Sequence, residues 1–302
     1  MKKNPVLLGL MVFGVLLCLF LISVWALSHF FNPEESLWGG EKVAIIEIRG
    51  VILDPQPVIE KLVKLRRNEK VKAIVLRIDS PGGAVGPAQE IYTEVKKTQK
   101  EKKVLVSVGS VAASGGYYIA CGADKIMANP GSITGSIGVI VESLNVEELL
   151  HKIGLRSVVV KSGKVKDMGS PFRPMTDEEK KLLQGVLDSV HDQFIRAVAE
   201  GRNLPLEKVR ELADGRIFSG DQAKALGLVD ELGNFEDAIA LAAKLAGIKG
   251  EPEIIYPEKK RFSILDLLLQ ETIQKILGES RSRNIPHFLY LFSLPDGLKT
   301  AD

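Results

Sequence analysis

The sequence around Ser114 combines a hydroxyl with small residues and glycines. Ser114 follows Ala112 and Ala113 and precedes Gly115 and Gly116, and an apolar run typical of a helix comes next. The hydroxyl is therefore expected at a helix N-terminus, where unpaired backbone N–H groups favour negative charge. Such a serine can be a nucleophile or an ordinary helix cap, and these residues alone leave both roles open.

A second glycine-rich turn, DSPGG at residues 79–83, directly follows a hydrophobic strand pattern. Glycines let backbone N–H groups approach a ligand without a side chain in the way. A turn at the carboxyl end of a strand can aim such donors at an oxyanion. Gly82 and Gly83 are therefore candidate oxyanion donors, although many strand-ending turns of this composition are only turns.

A base for the serine is not found among the histidines. The chain has four of them, all outside the glycine-rich turns: His29, His151, His191 and His287. A serine peptidase can use a lysine amine instead, provided that burial or a neighbouring cation keeps the amine neutral. The stretch VVVKSGKVKDMGSPF offers Lys161, Lys164 and Lys166, and its plainer interpretation is a solvated basic loop.

Residues 132–140, SITGSIGVI, have the composition of an extended segment with exposed backbone groups. A peptide can bind such an edge as an added strand. Gly135, Ile137 and Gly138 are the candidate contacts for a substrate of this kind.

Strand and helix patterns alternate along the chain from residue 42. Strands are predicted at residues 42–49, 71–79, 103–108, 125–128, 138–141 and 157–161. Helices are predicted at residues 57–67, 87–100, 114–121, 146–153, 176–201, 205–213, 220–226, 235–246 and 262–277. This alternation favours an α/β fold with a parallel sheet covered by helices. Thr176 and Glu179 form a capping-box pattern at the start of the longest helix.

The N-terminus has the features of a membrane anchor. Lys2 and Lys3 precede an apolar run at residues 6–27, about the ~20 residues that a helix needs to cross a bilayer. The basic flank places the N-terminus in the cytoplasm and the rest of the chain outside it. A cleaved signal peptide is the alternative, but the run exceeds a typical apolar signal region of 7–15 residues.

The predicted organisation is an anchor at 1–31, a linker at 32–41, a catalytic domain at 42–250 and a C-terminal extension at 251–302. Forty basic and 38 acidic residues give a formal net charge of +2, which does not favour a nucleic-acid partner. Cys18 and Cys121 lie far apart in the sequence and are not expected to form a disulfide. The sequence lacks a Cys/His cluster with metal-ligand spacing, so no metal and no cofactor is expected.

Five motifs in order resemble those of the S49 serine peptidases: DSPGG, VAASGGYYIA, GSITGSIGVI, SGKVKDMGSPFRPMT and GRIFSGDQAKALGLVD. They span about residues 42–245. One copy of this core is present, which is similar to the short-form signal peptide peptidases of that family. The resemblance implies a crotonase/ClpP-like core of repeated ββα units.

The same resemblance implies roles for individual residues. Ser114 matches the nucleophile and Lys166 the general base, rather than the other two lysines of that stretch. Gly83, with Gly82, matches the oxyanion turn, and Ser136 matches a serine that helps to orient the base.

The resemblance also implies partners and a location. Peptides, in particular remnant signal peptides, are the expected substrates, and membrane lipid is expected to surround residues 6–27. A closed homo-oligomeric ring is expected, with an octamer as the candidate size and each site shared between neighbours. The implied location is the bacterial cytoplasmic membrane, with one span and an extracytoplasmic catalytic domain.

Other functions are compatible with parts of this pattern. A crotonase-like acyl-CoA enzyme also uses a glycine-turn oxyanion hole, but the anchor and the Ser–Lys motifs oppose it. A catalytically silent membrane scaffold would not be expected to retain both Ser114 and Lys166. Phage prohead peptidases share S49 motifs, but the N-terminal apolar run argues against that origin.

Overall fold

The computed structural model describes residues 13–20, 22–23 and 40–257, together with the backbone of residues 289–291. Residues 1–40 and residues 41–302 form separate units. In the first unit, residues 13–20 are helical and their apolar side chains are exposed. Most of the predicted anchor at 6–27 lies outside the described residues. In the described part, no helix combines the length and the apolar character that a bilayer crossing requires.

The second unit is built on an eight-stranded sheet with the order β7-β6-β4-β2-β1-β9, while β5 pairs with β4 and β8. Its strands are β1 (Lys42–Arg49), β2 (Val71–Ser80), β4 (Lys103–Ala113), β5 (Lys125–Ala128), β6 (Ile133–Gly135), β7 (Ile217–Ser219), β8 (Glu231–Leu232) and β9 (Glu253–Ile255). Neighbouring strands run parallel, apart from the antiparallel pair of β6 and β7. A separate pair is formed by β3 (Gly82–Ala84) and β10 (Leu289–Leu291).

Helices cover both faces of this sheet, as the near-continuous apolar strands require. In β1, Ala44 and Ile46 face one core and Val43 and Ile45 face the other. The described helices are α1 (Gln56–Arg67), α2 (Val85–Gln99), α3 (Gly115–Ala120), α4 (Glu147–Lys152), α5 (Asp177–Arg202), α6 (Leu206–Leu212), α7 (Gly220–Leu226) and α8 (Phe235–Leu245). α1, α2, α3 and α5 contribute to the larger core, and α8 covers the opposite face.

The short helix α3 is fixed between two longer helices by aromatic packing. The ring of Tyr118 lies 5.0 Å from the ring of Tyr92 on α2 and 5.0 Å from that of Phe194 on α5. Aromatic pairs at this separation add stabilisation beyond the buried area. Ser114 directly precedes α3 and is therefore joined to a rigidly held helix.

Most of the predicted elements are present near their predicted bounds, so the α/β fold with a mainly parallel sheet is confirmed. The capping box at the start of α5 is also formed, because the Thr176 hydroxyl accepts from the Glu179 N–H and the Glu179 carboxylate accepts from the Thr176 N–H. Cys18 and Cys121 are both free, as expected. The predicted helix at 262–277 lies outside the described residues.

Two strand predictions are wrong. Residues 157–161 have no strand, and Val158 and Val160 are 87% and 97% exposed. A β-branched run forms a strand only where it finds a partner and burial, which this segment does not have among the described residues. The strand predicted at 138–141 instead occupies Ile133–Gly135, because Gly135 and Ser136 adopt positive φ and end it.

Five described strands lie where no strand was predicted: β3, β7, β8, β9 and β10. β9 adds residues 253–255 to the sheet beside β1, so the folded unit continues beyond residue 250. β3 begins within the DSPGG motif, since Gly82 and Gly83 are its first two residues.

Candidate active site

Ser114 lies at the junction between β4 and α3 in a strained backbone conformation. Its φ is 53° and its ψ is −118°, and the residue is only 1% exposed. For a residue with a Cβ, such a backbone conformation costs on the order of 1–3 kcal/mol and persists only when the surrounding structure imposes it. Two hydrogen bonds do so: the Ser114 N–H donates to the Gly135 carbonyl at 2.8 Å, and the Ser114 carbonyl accepts from the Tyr118 N–H at 2.8 Å.

The end of β4 is shaped by Asp79, the last acidic residue of β2. One carboxylate oxygen of Asp79 accepts from the N–H groups of Ser110 and Val111, both at 3.1 Å. The register between β2 and β4 shifts at this point, so that Ser80 pairs with Ala112. Asp79 therefore holds the irregular part of β4, and the strand continues from there to Ala113, the residue before Ser114.

The DSPGG turn lies beside the start of α3. Gly116 shows how close the two are, since a Cβ on it would lie 3.0 Å from the Ser80 carbonyl oxygen. The Ser80 hydroxyl donates to the Gly50 carbonyl at 2.6 Å and accepts from the Gly82 N–H at 3.1 Å. The turn is thus held in place immediately next to the helix that begins after Ser114.

Gly83 has no room for a side chain. A Cβ on Gly83 would lie 2.1 Å from the Ile52 carbonyl oxygen. Two hydrogen bonds hold Ile52 against the residues on either side of Gly83. The Ile52 N–H donates to the Gly82 carbonyl at 2.9 Å, and the Ile52 carbonyl accepts from the Ala84 N–H at 2.8 Å. On the other edge of β3, β10 runs antiparallel, with Tyr290 opposite Gly83. Both edges of β3 are therefore occupied in the described chain, one by Ile52 and the other by β10.

β6 is fixed next to Ser114 on both of its edges. It pairs with the end of β4 on one side and with β7 on the other. Gly135 consequently offers no free strand edge within this chain, and the Ser136 N–H already donates to the Arg216 carbonyl at 2.8 Å. Strand addition at Ile137 and Gly138, which follow the end of β6, stays a prediction.

Behind α3, buried polar groups tie the helix to the rest of the core. The Tyr117 hydroxyl donates to the Leu228 carbonyl at 2.8 Å, and burial raises the pKa of this phenol. Burial also raises the pKa of the Cys121 thiol to about 12, so the thiol stays neutral. Arg202 lies 2.6 Å from Asp230 in the same region. Burial favours a higher pKa for Asp230, but Arg202 and the Ile126 N–H hold that pKa below its usual value.

Lys166 lies in a different environment from Ser114. It is exposed, in a segment of turns at residues 162–169, and its N–H donates to the Gly163 carbonyl at 3.1 Å. Within the described residues, neither a hydrogen bond nor an ion pair joins Lys166 to Ser114. The other two lysines of this segment are paired with acids, Lys161 with Asp167 and Lys164 with Glu178.

The structure therefore brings together some of the predicted site residues. Ser114, the Gly82–Gly83 turn and Ser136 meet at the carboxyl ends of β2, β4 and β6. Sequence reasoning missed the positioning role of Asp79, although its place at the end of a buried strand is a usable signal.

Comparison with known proteins identifies two matching family models. The model of peptidase family S49 matches residues 96–249. The model of Clp protease matches residues 44–133. Together they cover residues 44–249, which include most of the sheet, the Ser114 region and the Lys166 segment.

Three of the relatives with similar sequences are named as proteases or peptidases. "Putative protease slr0021" of Synechocystis sp. is 50% identical over 209 residues, which are 69% of this chain and 76% of that protein. "Putative protease MJ0651" of Methanocaldococcus jannaschii is 36% identical over 297 residues, 92% of this chain and 95% of that protein. "Putative signal peptide peptidase SppA" of Enterococcus faecium is 40% identical over 223 residues, 68% of this chain and 65% of that protein.

Proposed function

Because this chain belongs to peptidase family S49 and is a serine protease, we propose that Ser114 is its nucleophile and Lys166 its general base. The observation that carries the proposal is the strained, enforced conformation of Ser114 between a strand and a helix. Nucleophilic serines of other hydrolases also lie on sharp, strained strand-to-helix turns. An ordinary N-cap residue has an extended backbone, as Thr176 and Ser219 do here.

In this mechanism, the Ser114 hydroxyl attacks the carbonyl carbon of the scissile peptide bond while the Lys166 amine takes its proton. The tetrahedral intermediate collapses to an acyl-enzyme, and the proton passes from Lys166 to the departing amine. Water then attacks the ester carbonyl while Lys166 removes its proton. The second tetrahedral intermediate collapses with cleavage of the ester bond, which releases the carboxylic acid product, and Lys166 returns the proton to the Ser114 oxygen. Ser136, which follows β6 beside Ser114, is proposed to help orient the amine.

The oxyanion is proposed to bind backbone donors of the Gly82–Gly83 turn, principally the Gly83 N–H, since the Gly82 N–H already donates to the Ser80 hydroxyl. Donors fixed before the reaction stabilise the developing charge without reorganisation. β10 occupies one edge of β3 in the described chain, and an extended substrate is proposed to take its place in the same antiparallel geometry.

We further propose that the site is completed by a neighbouring copy of the chain. Ser114 is buried in its own protomer, whereas Lys166 is exposed on a segment of turns. Around that segment, large apolar side chains are exposed in the single chain: Leu144, Leu149, Ile153, Leu155, Val158, Val160 and Phe172. Burial of this apolar surface against another copy of the chain would favour association. Head-to-tail contacts between copies form a ring when the last copy meets the first.

The proposed substrates are signal peptides and other membrane-proximal peptides, and the proposed location is the bacterial cytoplasmic membrane. The apolar run at 6–27 after Lys2 and Lys3 supports a single-pass anchor with the catalytic domain outside the cytoplasm. Protease treatment of intact spheroplasts tests this topology. The domain after residue 40 should be digested, and its protection would contradict the orientation.

The central experiment measures the cleavage of a synthetic signal peptide by the full-length protein in phospholipid vesicles. Wild type should cleave it, and an activated serine-directed phosphonate should form an adduct that mass spectrometry maps to Ser114. Ser114→Ala should abolish both cleavage and adduct, and Lys166→Ala should slow both. An adduct on another serine, or undiminished cleavage in Ser114→Ala, would contradict the assignment.

A further inference from the structure

The carboxylate of Asp167, the residue after Lys166, is bound at both of its oxygens. The Arg173 guanidinium donates to Oδ2 through Nε at 2.8 Å and to Oδ1 through Nη2 at 2.8 Å. Lys161 donates to Oδ1 at 2.5 Å, and Arg173 Nη2 reaches the Asp167 backbone carbonyl at 3.3 Å. Arg173 therefore fixes both the side chain and the backbone of the residue next to the proposed base.

The other side of the same guanidinium binds Glu179 on the first turn of α5. Nη1 donates to Oε2 at 2.8 Å and Nη2 donates to Oε1 at 2.5 Å. Glu179 is 3% exposed, and its carboxylate also accepts from the Thr176 N–H at 2.9 Å. Bidentate Arg–carboxylate pairs of this kind are the geometrically most specific ion pairs. One guanidinium thus joins two carboxylates from two parts of the chain.

Lys166 depends on such a link because regular structure does not hold it. Residues 162–169 form turns, whereas α5 is a 26-residue helix whose Phe194 and Ile195 lie in the core. A continuous path runs from that core through α5 to Glu179, then through Arg173 to Asp167. The position of Asp167, the residue next to the proposed base, is therefore fixed relative to the core by side-chain contacts.

We propose that Arg173 is a positioning residue for Lys166, acting through Asp167 and anchored by Glu179. The inference rests on the proposed function of Lys166 as base. Its role is to hold the amine where it can reach the serine hydroxyl, and displacement of a reacting group by about 1 Å can cost on the order of 10²-fold in rate. Arg173 does not touch substrate in this proposal, so it affects the rate of the chemical step and leaves substrate binding intact.

The first test compares Arg173→Ala with wild type in full-length protein, using a fluorogenic peptide substrate. We expect kcat to fall by roughly 10–100-fold with KM changed less than about twofold. Guanidinium ion at millimolar concentration should restore part of kcat, while sodium chloride at equal ionic strength should not. Unchanged kcat would overturn the inference, as would a loss of kcat in folded protein that guanidinium does not relieve.

Two neighbouring acids on α5 provide a matched pair of variants. Glu179→Gln removes a buried charge bound to Arg173, and Glu178→Gln removes an exposed charge bound to Lys164 on the same segment. We expect Glu179→Gln to lower kcat and Glu178→Gln to leave it within about twofold of wild type. Equal effects of the two substitutions would contradict a specific role for the Arg173 link.

Asp167→Asn keeps the inference testable if Arg173→Ala does not fold. It preserves the shape of the side chain and leaves the Arg173–Glu179 pair in place. A folded Asp167→Asn protein with wild-type kcat would overturn the proposal. Lys166→Ala in the same assay separates the two hypotheses: full activity there defeats the proposed base, whereas loss there with active Asp167→Asn and Arg173→Ala defeats the positioning role alone.

Discussion

The backbone N–H of Ser114 donates to the carbonyl oxygen of Gly135 at 2.8 Å, which joins the candidate nucleophile to a strand twenty-one positions later in the chain. Gly135 has a φ of 84°, and a Cβ there would lie 2.6 Å from the Phe218 ring. The positive φ at Ser114 is therefore imposed by a neighbour that itself must be glycine. The hydrogen bond thus couples two motifs, because the conformation of Ser114 in VAASGGYYIA depends on a glycine in GSITGSIGVI.

Ser114→Ala and Lys166→Ala should each lower kcat/KM by about 10³-fold or more, because a nucleophile and its base act as one unit. The double variant should be little worse than either single one. Peptide cleavage under single-turnover conditions measures the effect. Lys164→Ala serves as the control, since it alters a lysine of the same segment, and it should retain activity. Losses that multiply in the double variant would argue against a dyad.

Gly83→Ala should reduce both stability and activity, because its Cβ would meet the Ile52 carbonyl oxygen at 2.1 Å. The backbone of the turn has to move, which we expect to destabilise the fold by at least about 3 kcal/mol. Chemical denaturation and peptide cleavage check the two effects.

Gly86→Ala is the matched control for Gly83→Ala. A Cβ at Gly86 would have no atom within 4 Å, and the residue lies in the first turn of α2. We expect stability to change by less than about 1 kcal/mol, in the favourable direction, because alanine is the better helix former. Similar losses in the two variants would show that the close approach at Gly83 is not the cause.

The sequence alone predicts the main strands and helices because their apolar patterns are unbroken. β1, from Lys42 to Arg49, is found at its predicted bounds, and α5 begins where the capping box of Thr176 places it. These elements bury their apolar faces against a sheet, so local pattern and final environment agree.

The sequence does not predict features that depend on contacts between distant segments. β3 is a strand because Ile52 and the segment at 289–291 lie on its two edges, and neither is visible from residues 82–84. The Val158–Val160 run is β-branched but exposed and forms no strand, because no described segment pairs with it. Arg173 lies in a stretch that sequence reasoning used only for its lysines, although it links Asp167 to Glu179.

Glu179 should contribute to stability in a way that depends on pH. Hydrogen bonds from Arg173 lower the pKa of Glu179 to about 2, from an ordinary value of 4.5. A carboxylate with a depressed pKa in the folded state stabilises fully above its unfolded pKa and loses that contribution as pH falls through the folded value. The stability advantage of wild type over Glu179→Gln should therefore be constant above about pH 5 and shrink between pH 4.5 and pH 2. Urea unfolding midpoints at several pH values measure this gap, and a gap independent of pH down to 3 would contradict the assigned charge state.

Subunit mixing tests whether the active site is shared between neighbours. Ser114→Ala and Lys166→Ala proteins should each have lost about 10³-fold or more of the wild-type activity, so neither preparation alone should cleave the peptide at a comparable rate. After subunit exchange in detergent, some interfaces pair an intact serine with an intact lysine, and a fraction of wild-type activity should return. At equal mixing, up to about one quarter of the interfaces are competent if exchange is random and each site takes one residue from each of two protomers.

The control for mixing is the Ser114→Ala, Lys166→Ala double variant mixed with Ser114→Ala protein. That mixture contains no intact serine, so it should stay inactive whatever the degree of exchange. Exchange itself is followed by energy transfer between differently labelled preparations. Demonstrated exchange without recovered activity would mean that each protomer builds its own site. In that case Lys166 would have to approach Ser114 within one chain, and the segment at 162–169 would have to move from its exposed position to do so.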